Sequence, residues 1–367
     1  MAKIIYSLSG EGSGHSSRSR EMITHLLKMG HTVKVASYNR GYSNLKDDFD
    51  VLEIEGFSII SEDNKVSIGK TFAQNFNTIL DRYEAFNILK KKYFREFKPD
   101  CVITDFEPMA AYLANELDVP LITIDNQHRM RYMDFPCPLE WKAEAIFIEN
   151  LIRAMIPRPC ISLVTTFYFG DKRNNRTYLF PPILRQSVLE AKPSAGNYIL
   201  VYATQEYDSL IEYLKTYKRE NFVLYGFNKD MIEENLTFKS FSRVGFLDDL
   251  KGCKAVIATA GFTLMTESFY LGKPFLALPM KGQFEQVLNG LMLEELEYGK
   301  CVLDLERNNI SAFLYDIPEY TENLESYEHK DNSAITEMLD FILANDCKVL
   351  QDFHEKRRTI FHIDDKQ

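Results

Sequence analysis

The chain lacks closely spaced cysteines. Its six, Cys101, Cys137, Cys160, Cys253, Cys301 and Cys347, are scattered with no CxxC pair and no short Cys/His spacing, which excludes a zinc ribbon or a dithiol redox motif. Cys101, Cys253 and Cys301 stand in or beside apolar strand-like runs, where a free thiol behaves as a small core residue. A reduced, cytoplasmic protein is the simplest expectation. There is also no excess of positive charge: 43 Lys and Arg face 53 Asp and Glu, a net charge of −10, so a broad nucleic-acid footprint is excluded. No apolar run reaches membrane-spanning length, and the N-terminal MAKIIYSLSGEG meets a glycine loop long before it could serve as a signal peptide. The dinucleotide fingerprint is missing as well. In Ser9-Gly10-Glu11-Gly12-Ser13-Gly14-His15 the third glycine of GxGxxG falls on His15, and the next strand, Thr32 to Ser37, ends without an acid for an adenosine ribose. NAD and FAD are disfavoured.

What is present is an alternating α/β chain of 367 residues, 45% apolar and 26% charged, enough for two ordinary domains. Strand patterns at Lys3 to Leu8, Thr32 to Ser37, Val51 to Glu55, Asp100 to Thr104, Val119 to Ile124, Cys160 to Thr165 and Tyr178 to Phe180 interleave with helices. Those helices are expected at Ser16 to Met29, closed by Gly30, at Phe72 to Phe97, from Pro108 onward, and at Trp141 to Met155. Residues 1–180 are read as an N-terminal domain and the proline-rich PPILRQSVLEAKPSAGN, 181–196, as a linker. Residues 197–345 are read as a C-terminal domain. It has a strand from Tyr198, a helix over 206–218, a strand at Phe222 to Tyr225, a strand-like Arg243 to Phe246 and a final strand at Cys301 to Leu303. Tail helices are expected over Ser333 to about Arg358, with 346–367 as a helix returning to the first domain. Alternation of this kind builds parallel sheets, whose ligand crevices lie at the carboxyl ends of the strands.

Polar clusters collect at those ends. On the N-terminal side they are Gly10 to His15, Asp105 to Glu107 and Asp125 to Arg131. On the C-terminal side, KAVIATAGFTLMTESFYLGKPFLALPMKGQFEQVLN reads as strand, Thr259-Ala260-Gly261 turn, helix carrying Glu267, strand at Pro274 to Leu278, and helix carrying Gln286 and Asn289. The free N–H groups of Phe262 and Thr263 suit a phosphate, and the Glu267 carboxylate suits paired ribose hydroxyls. A nucleoside diphosphate ligand is expected. Asp248 and Asp249 resemble a metal pair only superficially, and N-capping where a loop enters a helix accounts for them.

TAGFTLMTESFYLGKP, followed by GQFEQVLN, resembles the nucleotide-sugar-binding region of the MurG-like and UDP-glycosyltransferase superfamily with the GT-B fold. SLSGEGSGHSSRS resembles that superfamily's acceptor-side loop, and ITDFEP, DNQH and PPILR bring the chain close to an uncharacterised bacterial and archaeal branch. The resemblance spans roughly residues 1 to 305. It implies two Rossmann-like parallel-sheet domains facing across a cleft. It further implies a hexosyltransferase-type enzyme that inverts the anomeric centre without a metal, using a nucleotide-sugar, expected to be a UDP-sugar, as co-substrate and no other cofactor.

Carried over by position, Thr259, Gly261, Phe262, Thr263, Glu267, Glu285, Gln286 and Asn289 would hold the donor. His15 would be the acceptor base and Asp105 its carboxylate partner. Gly12, Ser13, Gly14, Glu107, Asn126, Gln127, His128 and Arg129 would line the acceptor side. The departures are Thr259, where plant-type members have histidine, and Glu285-Gln286 in place of Asp-Gln. Expected partners are the donor and a cell-envelope glycan, lipid-linked or small-molecule acceptor. Peripheral membrane contact through the Trp141 to Met155 helix stands beside a plain core-packing reading of its apolar spacing. A nucleotide-sugar hydrolase or epimerase, or a non-catalytic sugar-nucleotide sensor, shares the scaffold.

Overall fold

The computed structural model describes residues 1–56, 61–62, 65–66, 79–203 and 208–345. The first sheet contains β1 (Lys3–Leu8), β2 (Thr32–Ser37), β3 (Val51–Glu53), β4 (Cys101–Asp105), β5 (Leu121–Asp125), β6 (Ile161–Thr165) and β7 (Thr177–Phe180), in the spatial order β3-β2-β1-β4-β5-β6-β7. Every pairing is parallel. Ile4 to Leu8 of β1 and all of β4, β5 and β6 are buried on both faces, as continuous apolar runs in a helix-covered parallel sheet should be.

One face of this sheet packs Ile4, Tyr6 and Leu8 against Met22, Ile23 and Leu26 of α1 (Ser13–Lys28). The other packs Ile5 and Val102 against Leu89, Tyr93 and Phe94, which belong to α2 (Ile79–Leu89) and its π-helical continuation Lys90–Glu96, and against Ala110 and Leu113 of α3 (Pro108–Glu116). The expected start of the α2 helix at Phe72 lies outside the described residues. Helix α4 (Lys142–Met155) follows a 3-10 turn at Leu139–Trp141.

The second sheet contains β8 (Tyr198–Tyr202), β9 (Asn221–Tyr225), β10 (Met231–Glu233), β11 (Leu236–Phe238), β12 (Ala255–Ala258), β13 (Phe275–Ala277) and β14 (Gly299–Cys301), ordered β10-β11-β9-β8-β12-β13-β14. All neighbours are parallel except β10, which runs antiparallel to β11. The helices are α5 (Asp208–Thr216), α6 (Arg243–Gly252), α7 (Phe262–Tyr270), α8 (Phe284–Glu295), α9 (Arg307–Leu324) and α10 (Ser333–Ala344).

Two expectations are corrected here. Arg243 to Phe246 is not a strand but the start of α6: Ser242 caps it by accepting from Gly245 N, and Phe246 and Leu250, one turn apart, are its buried residues. Asp248 and Asp249 therefore lie inside the helix rather than at its entrance. Asp249 accepts from the Tyr225 hydroxyl at 2.6 Å and from Lys239 at 2.7 Å.

The returning helix is α10. Ile335, Met338, Leu339 and Ile342 lie in the same core as β1 and α1, and His25 meets Asp340 at 2.9 Å. Residues 346–367, where that return was expected, lie outside the described residues. The segment between the sheets carries a short helix, Gln186–Leu189. An apolar seam also joins the halves: Phe167 packs on Phe262 and Phe269, and Phe135 and Trp141 pack on Phe284.

Candidate active site

Both sheets place their functional loops where strand order reverses. In the first, β1 and β4 are neighbours, with Leu8 in register with Asp105, and Ser9 N donates to Asp105 O at 2.9 Å. The loop after β1 and the end of β4 therefore meet at the switch point, the usual location of a ligand crevice. Gly12, the N-cap of α1, adopts φ 80°, a left-handed turn that favours glycine. Phe106, directly after Asp105, sits at φ 57°, an unusual conformation for a bulky residue that is held by the surrounding contacts.

The first turn of α1 carries His15 inward. Its Nδ1 lies 2.7 Å from Asp105 Oδ1, and both side chains are buried. An ionised carboxylate only accepts, so Nδ1 is the donor, and in the neutral ring the lone pair is then on Nε2. Arg18, one turn further on the same helix face, clamps Asp105 with Nε at 2.7 Å and Nη2 at 2.5 Å. Its Nη2 is also 2.9 Å from His15 Nδ1, two donors converging on one oxygen, and Ser19 Oγ donates at 3.1 Å. Burial alone would raise the Asp105 carboxyl. Arg18 and His15 overcome it and hold the group at about 2.

Arg18 continues the network to Asn126 Oδ1 at 2.6 Å and Gln127 Oε1 at 3.3 Å. Those amides then cross the cleft: Asn126 Nδ2 donates to Glu285 Oε1 at 2.6 Å and Gln127 Nε2 to Glu285 Oε2 at 3.2 Å. Hydrogen bonds thus run unbroken from His15 to helix α8 of the other sheet. Gly14 completes the approach, since a Cβ there would lie 2.7 Å from Thr263 Oγ1.

On the second sheet, Thr259 and Gly261 form the turn after β12, and α7 begins at Phe262 with no side-chain cap at Gly261. Phe262 and Thr263 thus stand in the first turn of a helix that no side chain caps, the arrangement suited to an anion. Glu267, one turn on and buried, is gripped by Arg185 through two bonds of 2.7 and 2.6 Å.

Other expected site residues turn inward. Glu107 is not presented to the cleft. It caps α3, accepting from Met109 N at 2.7 Å and Ala110 N at 2.8 Å, and burial pushes its carboxyl up to about 7 against those bonds. His128 is fully buried with Nδ1 2.7 Å from Asp125, its ring between Phe106 and Tyr132. Gln286 accepts from Met280 N at 3.0 Å and donates to Gln283. Asn289, fully buried, donates to Ala260 O at 2.7 Å and accepts from Arg129 across the domain boundary. Ser13 opens α1, its carbonyl accepting from Ser16.

Two residues escaped the sequence reading. Arg18 carried a signal, being three positions after His15 and so on the same helix face. Arg185 stood inside PPILR with no role assigned, and nothing local shows that it reaches Glu267 across 82 residues.

Two facing parallel-sheet domains with a polar cleft between their carboxyl-end loops define the GT-B architecture. The chain matches the family model for glycosyl transferase family 1 over residues 2–318. It is 24% identical over 330 residues to an uncharacterized glycosyltransferase of Methanosarcina acetivorans, covering 82% of this chain and 85% of that one. Among solved structures it is similar to the glycotransferase of kitacinnamycin, with TM-score 0.67, 14% identity, and 92% and 98% of the two chains covered. It is also similar to Arabidopsis thaliana UGT89C1 complexed with UDP-L-rhamnose, with TM-score 0.66, 15% identity, and 95% and 100% covered. The chain belongs to glycosyl transferase family 1 and is a GT-B glycosyltransferase.

Proposed function

We propose that the protein transfers a sugar from a nucleotide-sugar to a hydroxyl of a cell-envelope, lipid-linked or polysaccharide acceptor, with inversion and without a metal. The observation that carries this reading is the His15–Asp105–Arg18 cluster set against Thr263 at the uncapped start of α7. His15 Nε2 takes the acceptor hydroxyl proton while the new C–O bond forms at the anomeric carbon. The bond from that carbon to the phosphate oxygen breaks, and its electron pair leaves on the diphosphate. Backbone N–H groups and the dipole of α7 absorb that charge, so no metal is needed. Attack from the face opposite the leaving group inverts the centre. Glu267 keeps unused lone pairs beside Arg185 for the ribose hydroxyls, and Glu285 faces the sugar. UDP is the favoured nucleotide, given the UDP-L-rhamnose held by the Arabidopsis neighbour.

The lipid-linked acceptor draws support from α4. Among its residues only Ile152 is buried, whereas Ile146, Phe147 and Leu151 are 63%, 58% and 40% exposed and Leu139 before it is 81% exposed. Core packing does not account for that face. Exposed Lys142, Arg153 and Arg158 are offset by Glu140, Glu144 and Glu149, so it is the exposed apolar side chains that suit peripheral contact with a bilayer. Vesicles containing anionic lipid should co-sediment the protein, and Phe147→Asp should release it; no sedimentation of the wild type sinks this part.

Incubation with UDP-, dTDP-, GDP- and ADP-sugars, with and without hydroxyl acceptors, tests the reaction. Acceptor-dependent release of nucleoside diphosphate, abolished by His15→Ala, is expected. Rapid free-sugar release or an isomerised sugar without acceptor would instead identify a hydrolase or epimerase.

A further inference from the structure

Arg129 is the cleft residue whose chemistry this reaction leaves unused. It is fully buried, yet Nη2 hydrogen-bonds the neutral Asn289 amide oxygen, Nη1 reaches Met292 Sδ at 3.9 Å, and among the described residues Nε has no hydrogen-bond partner. The Glu285 carboxylate is 4.0 Å away and already accepts from Asn126 and Gln127. A buried cation whose one carboxylate stands at the 4.0 Å limit of an ion pair and is shared with two amides is only weakly compensated, which is costly. Burial lowers its pKa to about 10, so it stays charged at neutral pH.

Its location gives that charge a use. The guanidinium carbon lies 5.0 Å from the Phe262 ring and 5.9 Å from Phe167, and Phe262 is the first residue of α7. Asn289, which it holds, also holds Ala260 O in the turn leading into that helix. The turn that opens the uncapped helix α7 and a weakly compensated buried cation are thus joined through Asn289 across the two sheets.

We propose that Arg129, carried by the first sheet, is the catalytic cation that takes up charge on the diphosphate leaving group seated at the start of α7 on the second sheet. This rests on the nucleotide-sugar reading above. As the anomeric carbon–oxygen bond breaks, both electrons stay on the terminal phosphate, raising its negative charge by one. The Nε and Nη edge of the guanidinium matches two phosphate oxygens. Arg129 is buried between the two sheets, so the donor is admitted when the Arg129–Asn289 and Asn126–Glu285 contacts part. Reclosure then brings the guanidinium onto the phosphates. Transfer is thereby coupled to closure, because the cation and the helix dipole belong to different domains.

The test uses the full chain, EDTA, and whichever of UDP, dTDP, GDP or ADP binds the wild type, with its monophosphate and nucleoside. In Arg129→Met, affinity for the diphosphate should fall on the order of 10- to 100-fold, nucleoside affinity should hold, and kcat should fall further than diphosphate affinity. Arg129→Lys, which keeps the charge but not the fork, should lie between. It carries the test alone if the methionine variant does not fold. Wild-type diphosphate affinity and kcat in the variants would overturn the proposal, as would equal losses for nucleoside and diphosphate, which mark a structural residue. Failure of the wild type to bind any of the four diphosphates would remove the donor reading itself, and the proposal with it.

Discussion

Replacing Arg18 with methionine removes a buried guanidinium and leaves a buried carboxylate. In the wild type the Asp105 carboxyl is held at about 2 instead of its ordinary 3.8, a difference worth about 2 kcal/mol. That contribution is present above pH 3.8 and is lost as pH falls through 2. In Arg18→Met, burial no longer opposed by the guanidinium lifts the folded-state value above the unfolded one, so the variant loses stability as pH rises through 4. Removing one member of a buried pair costs about 3–5 kcal/mol, and the bonds to Asn126 and Gln127 go with it. Urea denaturation at pH 7 should therefore show a loss of about 3–5 kcal/mol, shrinking as the carboxyl takes up a proton below pH 4. Adding Asp105→Asn should recover part of the loss, because it removes the orphaned charge. A loss under about 1 kcal/mol, or one equal at pH 4 and pH 7, would refute this account of the cluster, since surface-like pairs behave that way.

His15→Ala should lower turnover by at least about 100-fold while leaving nucleoside diphosphate affinity, read by calorimetry, unchanged; retained turnover removes the base role. Glu107, with its folded-state carboxyl raised to about 7, binds a proton more readily folded than unfolded between pH 4.5 and 7. Its contribution to stability thus falls as pH rises across that window. Glu107→Gln should flatten that fall in denaturation curves, and an unchanged slope would show that the α3 cap carries no such penalty.

Most of the architecture was legible because buried parallel strands are short continuous apolar runs between helical patterns, and strand ends came within about two residues of their positions. Arg243 to Phe246 misled because Val244 and Phe246 alternate like a strand, whereas the Ser242 cap and Leu250 decide for helix only when the longer window is weighed. The β10–β11 pair is three residues per strand, and α9 carries Pro318 inside it. Each is a weak local signal that packing overrides. Within the site, residue types at strand ends were readable, but their pairings were not. Asp105 meets Arg18 across 87 residues and Glu285 meets Asn126 across 159. Glu107 and His128 illustrate the converse: polar residues in rim-like sequence positions that turn inward to cap a helix or pair with Asp125.

The central claim is that α7 and Glu267 hold a nucleoside diphosphate. Titration calorimetry of UDP into the protein in EDTA tests it most directly, with Glu267→Ala alongside. Saturable one-to-one binding in the wild type, weakened on the order of 10-fold or more when the carboxylate is removed, is the predicted result. Wild-type affinity in Glu267→Ala, or no binding of UDP, dTDP, GDP or ADP at all, would contradict it.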